Sequence, residues 1–262
     1  IEALADLPTE IYIYEPTAEY QNVTKPQGVT ELTPERAMIT ELIRRYSLLG
    51  IECSLLEAQK LAWFLERAIN LHNLPNRLKF NFIAHNYGPY SNNLSHLLNK
   101  LDGTYIQASK RIPDTSPLDT IQFINSKKEA LVTYLEEQAA SFQPALQLAI
   151  KTLDGFESPF GMELLATVDW LITKENCQPN LESIKAGLAN WPAGKKWAQR
   201  KQAMFDDRSL SLALRQLELL EVDMKQQPSR IKALQPELIS QLNSLVGEVE
   251  VDLAAPLLAD DE

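Results

Sequence analysis

The side chains best suited to chemistry are few in this sequence, and they do not fall at the spacings of catalytic sites. His72, His85 and His96 are its three histidines, and they form no H-E-x-x-H motif and no cysteine–histidine pattern, so a zinc site has little support. The sequence also lacks the G-x-S-x-G elbow of serine hydrolases and a glycine-rich phosphate loop. Paired carboxylates at 136–137 and 206–207 have the pattern of solvated surface charges. We therefore predict no catalytic residue, no metal and no cofactor.

The stretch from 86 to 93 is the strongest candidate for a binding surface. In Tyr87-Gly88-Pro89-Tyr90 the glycine can adopt angles closed to other residues and the proline fixes the next residue, which predicts a rigid bend. One interpretation is structural, with the tyrosines packed over adjoining helices. The other is functional, because tyrosines beside the amides Asn86, Asn92 and Asn93 would form a surface that can stack and hydrogen-bond.

Residues 191 to 201 form a second candidate, with two tryptophans among Lys195, Lys196, Arg200 and Lys201. Basic residues interleaved with aromatic ones can bind single-stranded nucleic acid. The chain as a whole is acidic, however. We therefore favour the interpretation that the tryptophans lie in the core and that the charges face solvent.

The overall charge limits the classes of partner. A net charge of -10 over 262 residues argues against binding to phosphate backbones, which needs a basic footprint. It is compatible with an acidic surface for a basic partner, or with acidity that only maintains solubility. No apolar run approaches the roughly 18 residues of a membrane span. Cys53 and Cys177 suggest no disulfide framework, which favours the cytoplasm.

The central stretch predicts a helix, a strand and a second helix. Ser54 and Glu57 form a capping box, and the apolar stripe that follows leaves Glu57 and Lys60 off its buried face. Alternating apolar residues over 78–84 predict a half-buried strand. A leucine stripe over 94–101, followed by Gly103, predicts the second helix.

The flanking segments predict further helices and a small sheet. Thr33 and Pro34 open a helix that Gly50 closes, and a second capping box is predicted at Ser126 and Glu129. Strands at 105–106 and 120–124 would pair with 78–84, and later helices begin near 158, 180, 193 and 209. The predicted fold is mostly α (α+β), a multi-helix domain with a small antiparallel β element, preceded by a short strand and followed by an acidic tail.

Four separated segments carry a family resemblance. Residues 59–65 (QKLAWFL) and 87–96 (YGPYSNNLSH) resemble segments of the C-terminal domain of DarG, the antitoxin of DarT/DarG toxin–antitoxin systems. Residues 158–168 and 197–201, with Phe205, resemble two further segments of that domain in the same order. The resemblance covers about 28 to 220.

The resemblance implies a division of the chain into four parts. Residues 1–16 would be the remnant of a preceding macrodomain, an ADP-ribose-binding hydrolase, and 17–31 a linker. Residues 32–225 would form the toxin-binding domain. Residues 226–262 would form a helix and an acidic tail, of a composition that is usually disordered. With the macrodomain left out, the chain is expected not to be an enzyme.

The resemblance also implies a partner and a mechanism. The partner is a DarT-like toxin, which transfers ADP-ribose from NAD to thymine in single-stranded DNA, and the domain would occupy its DNA groove as a mimic of the strand. No direct nucleic acid binding is expected. The matched motif and its neighbours supply the candidate toxin-binding residues Asn86, Tyr87, Gly88, Pro89, Tyr90, Asn92 and Asn93. Asp102 and Asp114 are added on electrostatic grounds.

Two alternatives stay open. The same helix, strand, Y-G-P and helix pattern also resembles the Panacea domain, an antitoxin module attached to many unrelated toxins, which would change the partner. The chain could also be an enzyme whose motifs are not visible in its sequence.

Overall fold

The computed structural model describes residues 31–218. Within that range the chain is mostly helical with a small antiparallel β component, as predicted. No helix in this part of the chain is long and apolar enough to cross a membrane. The strand predicted near the N-terminus, most of the linker, and the helix and acidic tail predicted within 226–262 lie outside the described residues.

The helices begin where short polar side chains can cap them. Thr33, Ser54, Ser91, Ser158 and Asn180 each accept a backbone N–H of the first turn, which satisfies a donor that has no partner within the helix. The helices are α1 (Pro34–Ser47), α2 (Leu55–Leu71), α3 (Asn92–Leu101), α4 (Lys128–Glu137), α5 (Gln143–Leu153), α6 (Pro159–Thr173), α7 (Leu181–Ala189), α8 (Lys195–Met204) and α9 (207–218).

The strands form one three-stranded sheet and one hairpin, all antiparallel. The sheet has the order β1–β5–β4, and the hairpin joins β2 to β3. The strands predicted near 105 and 120 are confirmed. Their predicted pairing with 78–84 is wrong, because they pair with each other and β5 also pairs with β1. The strands are β1 (Cys53–Ser54), β2 (Ile83–His85), β3 (Gly88–Tyr90), β4 (Ile106–Ala108) and β5 (Thr120–Phe123).

The strand predicted over 78–84 is wrong except at its end, where β2 begins. Lys79 and Asn81 have left-handed φ angles of 48° and 51°, so the backbone turns at each of them instead of continuing as a strand. Leu78 and Phe80 are nevertheless buried. Their alternation with exposed residues reproduced the period-two pattern of a strand without a sheet partner.

The two predicted capping boxes had different outcomes. At the start of α2, Ser54 accepts from the Glu57 backbone and Glu57 accepts from the Ser54 N–H, which confirms the first. The second is wrong, because α4 begins at Lys128 after a 3₁₀ turn and has no side-chain cap.

Helix α2 is the centre of the fold. It packs against α1, α5, α6 and β3, and it is buried on nearly every side. The prediction that Glu57 and Lys60 lie off its buried face is wrong, since both are almost fully buried. Each has partners there: Glu57 accepts hydrogen bonds from Ser54 and Tyr46, and Lys60 binds the hairpin. Neighbouring elements cover the polar side of this helix as well as its apolar stripe.

Candidate functional site

The bend at 87–90 is a β-hairpin whose turn lies earlier than predicted. Ile83 pairs with Tyr90 and His85 pairs with Gly88, so the two residues of the turn are Asn86 and Tyr87. Gly88 opens strand β3 with a φ of 98°. This left-handed φ, which glycine adopts readily, occurs just after the turn, where the hairpin backbone comes close to α2 and α6.

Helix α2 anchors this hairpin through two adjacent polar side chains. The Gln59 amide donates to the Ser91 carbonyl at 3.0 Å and accepts from the Ser91 N–H at 2.8 Å. Lys60 Nζ donates to the Pro89 carbonyl at 2.8 Å. The indole N–H of Trp191 donates to the His85 carbonyl at 3.0 Å from the other side. The Q-K and Y-G-P-Y-S segments are therefore bound to each other in the fold.

The hairpin borders a groove of about 470 Å³. We call it the hairpin groove. Its other walls come from the first turns of α2, from α3 and from the loop at 112–117. The lining residues are Leu55, Leu56, Gln59, Lys60, His85, Asn86, Tyr87, Gly88, Tyr90, Asn92, Ser95, His96, Asn99, Ile112, Pro113, Thr115, Ser116 and Pro117.

The structure brings most of the predicted binding residues to this groove. Asn86, Tyr87, Gly88, Tyr90 and Asn92 line it, and the Tyr90 hydroxyl donates to the Asn92 side chain at 3.1 Å. The other two residues of the motif do not line the groove. Pro89 is buried, and the Asn93 amide donates to the carbonyl of Lys79 at 2.6 Å.

The two predicted acids are positioned differently from the hairpin residues. Asp102 is buried at the end of α3, where it accepts from the Ala108 N–H at 3.0 Å. Asp114 is exposed between two groove-lining residues, and its carboxylate lies 2.5 Å from Arg111. The sequence contains no acidic residue between Glu66 and Asp102. The hairpin lies within this range, so it contributes no carboxylate to its side of the groove.

A second depression of about 370 Å³ continues the groove past Tyr87. The two share Leu56, Tyr87, Ser116 and Pro117. Tyr87 lies with its ring 4.9 Å from the Arg200 guanidinium and 5.4 Å from the Trp197 ring. Beyond it, the exposed side chains of Leu118 and Phe160 add apolar surface.

Beneath this second depression lies a buried ionic cluster. Glu163 accepts from Arg200 at 2.6 Å and from Lys201 at 2.8 Å, and Lys201 also donates to the Thr167 hydroxyl at 3.1 Å. Trp191 is buried as predicted, whereas Trp197 is only half-buried. The prediction that all the nearby charges face solvent is wrong for Lys201, which is fully buried. Burial lowers the pKa of Lys201 against the attraction of Glu163. Burial alone would raise the pKa of Glu163, but Arg200 and Lys201 hold it below its ordinary value.

Lys60 is the functional candidate that sequence reasoning missed. Burial, followed by the charge of Lys201, lowers the pKa of Lys60 to about 7, while Glu163 opposes that shift. Burial and the charge of Lys60 also lower the pKa of His85. A lysine that titrates near neutral pH can act as a base or as a charged anchor. The sequence feature that could have identified Lys60 is its position next to Gln59, in the Q-K segment that carries part of the family resemblance.

We expect Lys60 to make stability depend on pH. In an unfolded chain its pKa returns to about 10.5, so between pH 7 and 10.5 the unfolded state binds more protons and the free energy of unfolding rises with pH. Lys60→Met removes this contribution. Urea unfolding at about pH 7 and about pH 8.5 should show the wild type gaining on the order of 1 kcal/mol more than the variant. An equal gain in both proteins would contradict the shifted pKa.

Gly88→Ala should destabilise the domain more than a matched glycine substitution does. A Cβ at Gly88 would lie 3.2 Å from Thr167 Oγ1 and 3.4 Å from Lys60 Cε. Gly194 has a similar φ of 104° but open space around it, so Gly194→Ala isolates the cost of backbone strain. In denaturant unfolding we expect Gly88→Ala to cost about 1 kcal/mol or more beyond the control. Equal losses would mean that the close approach of the hairpin to α2 and α6 is unimportant.

The remaining candidates for chemistry lie apart. His96 is exposed on α3 at the groove, and both cysteines are free, with Cys53 buried. Among the described residues, no group of histidine, cysteine, aspartate or glutamate is arranged to hold a metal ion.

Comparison with known proteins shows similarity over most of the chain. In an alignment of length 220 that covers 82% of this chain, the sequence is 32% identical to a Thermus aquaticus protein named DNA ADP-ribosyl glycohydrolase, of which it covers 54%. Proteins of the same name from Mycobacterium bovis and Mycobacterium tuberculosis are 29% identical over 232 residues, and 60% of each is covered. The chain thus spans little more than half the length of the curated relatives it matches.

A family model matches the other end of the chain. Residues 188–261 match the PrlF antitoxin family, described as the prlF antitoxin for the toxin YhaV. The match begins at the end of α7, includes α8 and α9, and continues beyond the described residues. The sequence is therefore DarG-like, similar to DNA ADP-ribosyl glycohydrolases over most of its length, and its C-terminal part matches an antitoxin family.

Proposed function

We propose that this chain is an antitoxin domain that binds and inhibits a DarT-like DNA ADP-ribosyltransferase directly, with the hairpin groove as its contact surface. One observation carries the proposal. A hairpin that presents two tyrosines and two amides, Tyr87, Tyr90, Asn86 and Asn92, to a groove is fastened to the central helix by Gln59 and Lys60. The DarG-like sequence and the antitoxin-family match support the same role.

The anchoring makes the hairpin suitable for binding. Its backbone is tied on both sides, by α2 and by Trp191, and the Tyr87 ring packs against Trp197 and Arg200. Ordering side chains at an interface costs about 0.5–1.5 kcal/mol for each one that is immobilised. A surface that is ordered before binding avoids much of that cost.

Inhibition would follow from mimicry of single-stranded DNA. The tyrosines and amides would take the places of bases, which stack on aromatic groups and hydrogen-bond. Acidic side chains would take the places of phosphates. Residues 31–218 hold equal numbers of basic and acidic side chains, so the net charge of -10 comes from residues 1–30 and 219–262. Exposed Asp114 and those terminal segments are therefore the candidate phosphate mimics, whereas Asp102 is engaged with Ala108.

The proposed role requires no turnover by this chain. The name of the relatives describes a glycohydrolase, and this chain covers 54% to 60% of them. We assign that activity to the part of those proteins outside the match. The hairpin groove itself serves binding.

Co-expression with a DarT-like toxin tests the proposal. We expect the two proteins to elute together in size-exclusion chromatography and the cells to grow. Separate elution at micromolar concentrations, with continued growth arrest, would overturn it.

A second candidate partner comes from the family match at 188–261. An antitoxin acting on a toxin of the kind named there would use α8, α9 and the residues that follow. The same co-expression with a YhaV-type toxin separates the two candidates. A complex with that toxin and none with the DarT-like one would favour the second.

A further inference from the structure

We infer that, in the free protein, residues 247–262 of the same chain occupy the hairpin groove and its extension past Tyr87. This inference rests on the groove and on the sequence of that segment, and it does not depend on the identity of any toxin. It assigns a partner to the groove within the chain itself, and toxin binding would displace it.

Positive charge exceeds negative charge around the groove. Lys60 lines the groove, Arg200 lines its extension, and Lys201 lies beneath. Arg200 and Lys201 both pair with the single carboxylate of Glu163, and Lys60 lies close enough to be influenced by the charges of Lys201 and Glu163. An ammonium has three donors, and for Lys60 one acceptor, the Pro89 carbonyl, is in place. Buried cations of this kind favour an approaching carboxylate.

The walls of the groove and of its extension are largely apolar. Leu55, Leu56 and Ile112 line the groove, and Leu118 and Phe160 extend the apolar surface past Tyr87. Leu118 is 64% exposed and Phe160 is 44% exposed. The occupant must therefore offer both carboxylates and apolar side chains.

The segment 247–262 has this composition. It contains Glu248, Glu250, Asp252, Asp260, Asp261 and Glu262, and no basic residue. Val249, Val251 and Leu253 alternate with the first three acids. The segment therefore supplies apolar side chains that suit the walls, and carboxylates that suit the cations and the histidines at the rim.

The chain is long enough to make this contact. The Gln216 side chain of α9 donates to the carbonyls of Lys151 and Thr152, so the end of α9 lies beside the end of α5. A short loop leads from there to Pro159 and Phe160, which line the extension. Residues 219–246 can span up to roughly 90 Å when extended. That length exceeds any distance across a domain of this size.

Photo-crosslinking in the full chain tests the inference. A photo-reactive amino acid is placed at Val251, and crosslinked peptides are identified by mass spectrometry. We expect crosslinks within one chain to 83–90, 112–118 or 159–160. Crosslinks that map elsewhere, or that join two copies of the chain, would overturn the proposal.

A pair of matched leucine variants shows whether the contact needs the groove. Leu118→Asp places a negative charge on the groove wall, whereas Leu212→Asp does so on α9, where Leu212 is 53% exposed. We expect Leu118→Asp to reduce the crosslink yield by about tenfold, because like charges repel and apolar contact is lost. Leu212→Asp should leave the yield unchanged. Equal yields in the two variants would overturn the proposal.

Hydrogen exchange provides a second readout. The triple variant Glu248→Gln, Glu250→Gln, Asp252→Asn is compared with Glu129→Gln, Glu136→Gln, Glu137→Gln, which removes the same charge from exposed sites on α4. We expect amides at 83–99 and 112–118 to exchange faster in the first variant alone. Exchange identical to the wild type in both would overturn the proposal.

Discussion

Glu163→Gln should cost the domain about 3 to 5 kcal/mol of unfolding free energy, the range seen when one partner of a buried ion pair is removed. Lys201 is fully buried, and apart from Glu163 its hydrogen bond is to the Thr167 hydroxyl. Without the carboxylate its charge would face Arg200 and Lys60 without compensation. Denaturant unfolding followed by circular dichroism measures the loss.

A second variant separates charge from packing. Adding Lys201→Met to Glu163→Gln removes the stranded cation and keeps a long apolar side chain beside Trp191 and Phe205. We expect much of the lost stability to return, since apolar replacements of buried pairs are often neutral. A loss below about 1 kcal/mol for Glu163→Gln alone would contradict the ionic cluster as described.

Replacing Tyr87 and Tyr90 together with alanine should weaken toxin binding by about 2 to 4 kcal/mol, roughly 30- to 1000-fold in Kd. Both rings line the groove and both are ordered, Tyr87 by Trp197 and Arg200 and Tyr90 by Asn92. Tyrosine contributes a large apolar area with a polar end, and is for that reason frequent among the residues that dominate interface energies. Calorimetric titration of the toxin measures the change.

The control is Tyr134→Ala, which removes a half-buried tyrosine from α4, outside the groove. It should lower stability and leave the Kd unchanged. Unaltered affinity in the double variant, with its fold intact, would remove both tyrosines from the contact surface.

Local patterns predicted much of the fold. Capping residues and apolar stripes located α1, α2 and α3, and β-branched and aromatic runs located β4 and β5. These signals are local, because a cap or a stripe depends on residues within one or two turns. The bend near Tyr87–Tyr90 was also found, although the centre of the hairpin turn lies two positions earlier, at Asn86 and Tyr87.

What the sequence did not predict depends on contacts between distant segments. Lys60 and Lys201 looked like surface charges, yet both are buried because α2, α6 and α8 bring them to one cluster with Glu163. Likewise, the burial of Leu78 and Phe80 on either side of an exposed residue gave the sequence pattern of a strand. That pattern shows which side chains are buried, and it does not show that the backbone pairs with a neighbouring strand. Nothing in the sequence indicated that residues 112–117 form a wall of the groove, because that depends only on where this loop packs in the fold.

The most direct test of the proposed function is inhibition of a DarT-like toxin on single-stranded DNA, measured with increasing amounts of this chain and at several oligonucleotide concentrations. Direct occupation of the DNA groove predicts that activity falls to background near equimolar chain, and that more chain is needed as the oligonucleotide concentration rises. Full toxin activity at a large molar excess of the chain would contradict it.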